Sequence, residues 1–170
     1  MREKLQALSK DELIDLLELS SKNIVAMDGI WFQVLEEAIG MDKTMSYDTE
    51  VWRRYSPAEG RRLKKYFQMD EHPGLEGLAK ALAVGYSTLA NETEMIWEDG
   101  ALVYRVVVCR VQAARERKGM EFHPCKPVGL VEYSGFARAI DDRIVCECVS
   151  CYPDVTDPTC GCAWRFTIAE

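Results

Sequence analysis

The sequence predicts an α+β domain, with a helical N-terminal half packed on a C-terminal antiparallel sheet. Three observations carry it. Apolar residues recur at helical spacing up to about Asn91 and alternate at strand spacing after it. Asp99-Gly100 sits between two apolar runs, a dipeptide that suits a tight hairpin. A further helical stretch and two short β-rich runs follow, so the second half reads β-β-α-β-β, four strands and one helix. With no linker-like stretch, residues 1–170 read as one domain, 1–90 helical and 91–170 sheet-forming.

Ser9 and Glu12 form a capping-box pattern ahead of Leu13, Ile14, Leu16, Leu17 and Leu19, so a helix starts here. Asp28-Gly29 punctuates it. A second apolar group, from Trp31 to Ile39, stops at Gly40, a natural C-terminal residue. Ser56-Pro57-Ala58-Glu59 combines an N-cap, a first-turn proline and a glutamate three residues after the cap, which predicts a new helix carrying Leu63, Tyr66 and Phe67. After His72-Pro73-Gly74, one more helix spans Leu75 to Leu89. The hairpin strands are Met95 to Trp97 and Leu102 to Val108. A polar stretch ends at Gly119, a helix covers Pro127 to Ile140, and strands cover Arg143 to Val149 and Cys162 to Ile168.

The chain has 170 residues, with 21 Lys and Arg against 28 Asp and Glu, a net charge of −7 that argues against a nucleic-acid partner. Arg53, Arg54, Arg61, Arg62, Lys64 and Lys65 form the basic cluster, read as a solvated helix face. Hydrophobic residues at 48% can build a core. No apolar run approaches the roughly 20 residues of a membrane span, and the charged start has no apolar stretch behind it. The expectation is a cytoplasmic protein with no membrane partner, binding a small molecule, with a homodimer as a candidate assembly.

All seven cysteines lie from Cys109 onward. Strand alternation places Cys146 and Cys148 on one face, and Cys162 with Trp164 and Phe166 on another. Cys148-Val149-Ser150-Cys151, preceded by Cys146 and followed by Cys160-Gly161-Cys162, offers thiolates at the ends of two strands. Soft sulfur donors at short spacing suit tetrahedral zinc, so Cys146, Cys148, Cys151, Cys160 and Cys162 are candidate metal ligands. An iron–sulfur cluster would accept the same donors, and inert packing of reduced thiols or redox use stay open. Cys109 ends a strand among cations, and Cys125 opens a helix beside Lys126, where a thiol becomes more acidic and reactive. His123, two residues away, would polarise Cys125 or share a metal with it.

The residues Val106-Val107-Val108-Cys109-Arg110, Gly119, Cys125, Phe136-Ala137, Ile140-Asp141 and Cys162-Ala163-Trp164-Arg165-Phe166 resemble a family of small cytosolic bacterial and archaeal proteins of unknown function. Asp28 to Phe32, Glu36-Glu37 and Arg61 to Lys65 look like the same family, so the likeness covers most of the chain. More distantly, the order of cysteines and elements is similar to the L-2-amino-thiazoline-4-carboxylate hydrolase-like family. That resemblance implies hydrolytic opening of a cyclic thiazoline and carries over to Cys109, Cys125 and Cys162. Glu132 stands nearest to the family's acid, while Cys146, Cys148, Cys151 and Cys160 are additional.

No phosphate loop, nucleophile elbow or dinucleotide fingerprint is present. The expected site is a pocket between helices and sheet, with Cys109 and Cys125 facing it as catalytic candidates. Arg115 would grip a substrate carboxylate through its planar fork, and Asp28, Trp31, Glu36 and Gln112 would contact substrate. Either a thiolate or a metal-bound water would be the attacking group. The alternative is a non-catalytic ligand-binding or sensing module with a structural metal.

Overall fold

In a computed structural model, residues 2–169 are described. After a short α1 (Arg2–Gln6), the Ser9 capping box opens α2 (Lys10–Ile39), with both reciprocal hydrogen bonds made. The expected break at Asp28-Gly29 does not occur. An interior glycine costs only about 1 kcal/mol of helix stability, and Phe32, one turn on, is held by burial. Gly40, at φ +80°, ends α2 by donating its N–H to Glu36 at 2.9 Å, and α3 (Met41–Tyr66) starts directly after it.

The predicted start at Ser56-Pro57 is also overridden, for both residues lie inside α3. The buried Ser56 hydroxyl donates to the Trp52 carbonyl at 2.9 Å. The packing of Trp52 with Phe32, Met45 and Val128 outweighs the roughly 3 kcal/mol that an interior proline costs. The single helix expected from Leu75 to Leu89 is two, α4 (Gly74–Leu82) and α5 (Tyr86–Ala90). Gly85 turns extended there, and the Glu59 carboxylate accepts the Tyr86 N–H at 3.0 Å, capping α5 from another helix.

The second half follows the predicted order. Strands β1 (Glu92–Glu98) and β2 (Ala101–Val108) are joined by Asp99 and Gly100, both at positive φ, as a type I′ hairpin turn requires. Helices α6 (Arg110–Arg117) and α7 (Lys126–Ile140) precede β3 (Ile144–Cys151) and β4 (Cys162–Ile168). The sheet order is β1-β2-β4-β3, antiparallel throughout. The fold is α+β.

Helix α7 lies between α3 and the sheet, close to both because glycines leave room. A Cβ on Gly60 would sit 2.9 Å from the Phe136 carbonyl oxygen, and one on Gly129 would run into the Trp164 ring. The core joins Leu78, Leu102, Tyr104, Phe136, Ile140 and Trp164 across these layers. Strand β3 slips register between Cys148 and Ser150, so Cys151 rather than Ser150 pairs with Cys162. One extra residue in a strand shifts every later side chain to the other face. Here it brings Cys151 onto the core face already holding Cys146 and Cys148.

Candidate functional site

The two halves form a half-open cavity of about 510 Å³ between them. Its floor is Val106, Cys162 and Trp164 of the sheet, and its walls come from α2, α3, α5, α6 and α7. Cys109, Cys125, Cys151 and Cys162 all line it, four thiols from four parts of the chain.

Cys125 is the N-cap residue of the 15-residue α7, where the helix dipole favours negative charge. Its sulfur lies 3.4 Å from that of Cys151 and 3.7 Å from the Gln112 amide nitrogen, which donates toward it. The Cys151 thiol as hydrogen-bond donor, then the neighbouring His123 imidazolium, hold the Cys125 thiol down to about 5. Cys151 is raised in return and remains the protonated partner of the pair. Burial, the largest influence on Cys109, pushes it up to about 11, so it stays a thiol.

His123 is itself set in place from three sides. Its backbone exchanges hydrogen bonds with the Gln112 side chain, N–H to Oε1 at 3.0 Å and carbonyl from Nε2 at 2.8 Å. Phe32 packs edge-on against the ring at 4.4 Å, and Nε2 lies 3.3 Å from an Asp48 carboxylate oxygen. Burial disfavours the imidazolium, but Asp48 and then Cys125 outweigh that and lift His123 to about 9. Its Nδ1 is buried without a hydrogen-bond partner. Cys125, His123 and Asp48 thus form a connected set of thiol, imidazole and carboxyl groups, with Cys125 held low and His123 held high.

Two more acids face the same space. Burial, then Asp48, raises Asp28 to about 6, and burial raises Glu132 to about 8 although the Tyr86 hydroxyl donates to it at 2.9 Å. Trp52 and Tyr86, stacked at 5.3 Å, make the aromatic wall.

Several predicted contacts fall elsewhere. Arg115 lines the cavity as expected but, only 2% exposed, commits its fork to Glu36 at 2.7 and 2.8 Å and its Nε to the Glu121 carbonyl, so it ties α6 to α2 and leaves no fork for a substrate carboxylate. Glu36 is its partner rather than a cavity residue. Trp31 is 63% exposed and stands outside the cavity walls, because α2 turns Phe32 and Asp28 inward. Asp28 and Gln112 do line the cavity.

Of the five predicted metal ligands, Cys151 and Cys162 face the cavity, and Cys162 accepts the Trp164 indole N–H at 3.3 Å. Cys146 and Cys148 pack against the core further along β3. Cys160 stands apart, its thiol 3.6 Å from Asp157 beside Arg105. Among the described residues, the set of three His, Cys, Asp or Glu donors mutually within 4.8 Å is His72, Asp141 and Asp142, not a group of cysteines. Asp141 in that set is already held by Arg143 and the Gly74 N–H. Sequence reasoning missed Asp48, Tyr86 and Trp52, since nothing in the spacing of α3 and α5 marks which side meets His123.

A family model matches residues 6–168. The chain belongs to DUF6125, a family of unknown function. No curated protein matches it, and no solved structure does. The cavity of this DUF6125 member is therefore read from its own residues. Among the described residues, no helix is long and apolar enough to cross a membrane.

Proposed function

We propose that the chain is a thiol-dependent enzyme acting on a small molecule held in the cavity, with Cys125 as nucleophile. The observation that carries it is a thiol held acidic at a helix N-terminus, beside an imidazole that Asp48 backs, on a half-open cavity of about 510 Å³. A cyclic amidine carbon, the electrophile implied by the thiazoline hydrolase resemblance, suits this set. Cys125 sulfur would add to that carbon while His123 delivers its proton to the departing ring nitrogen, opening the C–N bond. Water, deprotonated by the now neutral His123, would then displace the thiolate, so one water is added overall. Gln112 would orient the sulfur.

The test is alkylation of Cys125 by iodoacetamide across pH, followed by peptide mass spectrometry. A rate midpoint near pH 5 is expected, moving up by more than one unit in His123→Gln and Asp48→Asn. A midpoint in the ordinary thiol range would remove the nucleophile.

One observation favours a second reading, a zinc or iron–sulfur centre. The Cys125 and Cys151 sulfurs are 3.4 Å apart with Cys162 paired opposite Cys151, and such thiolates would take zinc at about 2.3 Å. Stoichiometric zinc in protein purified without oxygen would move the assignment to this centre, while less than about a tenth of an equivalent would leave the nucleophile.

A further inference from the structure

Helix α2 carries a second apolar stripe that the fold leaves uncovered. Of its thirty residues only Ser21 and Phe32 are buried, and these mark the side that packs on the rest of the chain. Rotated to one side of them, by about 40° for Leu17 and by more for the others at 3.6 residues per turn, lie Leu13, Leu17, Ile24, Met27, Trp31 and Val34, between 37% and 63% exposed. With Ser20 filling the one polar position, these residues alternate at spacings of four and three over three heptads. That repeat is the seam of a helix that pairs with another helix of the same repeat. Leu16 and Ile30, also exposed, widen the stripe on one shoulder.

We infer that α2 is a homodimer interface, pairing antiparallel with α2 of a second copy about a two-fold axis near Ile24. The partner is a second copy because the seam is its own complement. Seven residues separate Leu17 from Ile24 and Ile24 from Trp31, so antiparallel pairing sets the bulky Trp31 of each protomer over Leu17 of the other and Ile24 over Ile24. Parallel pairing would instead force Trp31 against Trp31 at one layer. The area is sufficient. Taking roughly 90 Å² for each half-exposed large side chain, scaled from the 150–250 Å² of a buried aromatic, these eight residues offer on the order of 700 Å², close to the about 800 Å² each partner brings to a stable interface.

A membrane surface fits the stripe less well. Interfacial helices carry Lys and Arg on the polar side, whereas the polar side of α2 sets Asp11, Asp15 and Glu18 against the single Lys22, itself paired with Glu18, in a chain of net charge −7, which anionic lipid repels.

The experiment is sedimentation equilibrium on the full chain at tens of micromolar, read against the 19.3 kDa of one protomer. The wild type should run at twice that mass. Leu17→Glu and Trp31→Lys should each run as a monomer with an unchanged far-ultraviolet circular dichroism spectrum, while Asp15→Lys on the opposite side stays dimeric. An equimolar mixture of Leu17→Glu and Trp31→Lys should recover the dimer, since antiparallel pairing places the new glutamate over the new lysine and leaves the other Leu17–Trp31 pair intact. A monomeric wild type, or a Leu17→Glu chain that remains dimeric, overturns the inference. Failure of the mixture alone overturns the antiparallel arrangement. A monomer that sediments with phosphatidylglycerol vesicles assigns the stripe to lipid instead.

Discussion

Glu132 faces a cavity that holds two other carboxylates and no lysine or arginine paired to it among the described residues. Burial makes its charged form unfavourable, and the pKa rises from 4.5 to about 8. Because the folded state holds this proton more tightly than the unfolded chain, the side chain costs nothing below about pH 4.5 and becomes destabilising as pH climbs toward and past 8. Glutamine keeps the acceptor for Tyr86 and removes the charge. Glu132→Gln should therefore raise the melting temperature at pH 8.5 and leave it nearly unchanged at pH 4.5, as differential scanning calorimetry would show; an equal gain at both values would refute the burial argument. At this scale the sequence was legible for Cys125, where the helix start at Lys126-Pro127 marks an acidic thiol. It was not legible for Asp48, which meets a histidine 75 positions away across intervening helices and strands, or for Trp31, whose aromatic character says nothing about which side of α2 faces inward.

Elements here are spaced by what their glycines omit. Gly60 of α3 meets the Phe136 carbonyl of α7, a backbone atom that cannot give way. Gly60→Ala should cost about 1–3 kcal/mol, the range for overpacking a close contact. Gly29 provides the internal control, lying mid-helix in α2 with nothing within 4 Å of the point where a Cβ would stand. Gly29→Ala should stabilise by about 0.5–1 kcal/mol through helix propensity alone. Urea unfolding of the two variants would separate the effects, and similar midpoints would show that the α3–α7 contact is looser than the geometry states. The hairpin was readable because Asp99-Gly100 supplies its own turn conformation. The Ser56-Pro57 pair misled because a local start signal lost to the burial of Trp52, and burial depends on partners far away in the chain.

On the scale of the whole molecule, the cavity exists only where the helical half meets the sheet, since neither half contributes all of its walls. The shift of periodicity near Asn91 announced that division, which is why the α+β class was readable while the cavity's contents were not. One of those contents depends on arithmetic alone. The slip in β3 uses a single residue to turn Cys151 inward, and the residue in the slipped stretch, Val149, has a side chain 43% exposed and free of any demand on its chemistry. What the site requires is that Cys151 stand opposite Cys162, and the slip meets that requirement by leaving Val149 outside the alternation. Val149→Thr should leave Cys125 reactivity as it is, and so should deleting Val149, because Cys148, Ser150 and Cys151 would then alternate strictly with Cys151 still on the core face opposite Cys162. A climb of the Cys125 alkylation midpoint in the deletion variant would refute this reading of the slip. A residue that counts in the length of the chain thus does not count in the alternation, and in this stretch the loss of that one position, like its replacement, is a change the chemistry absorbs.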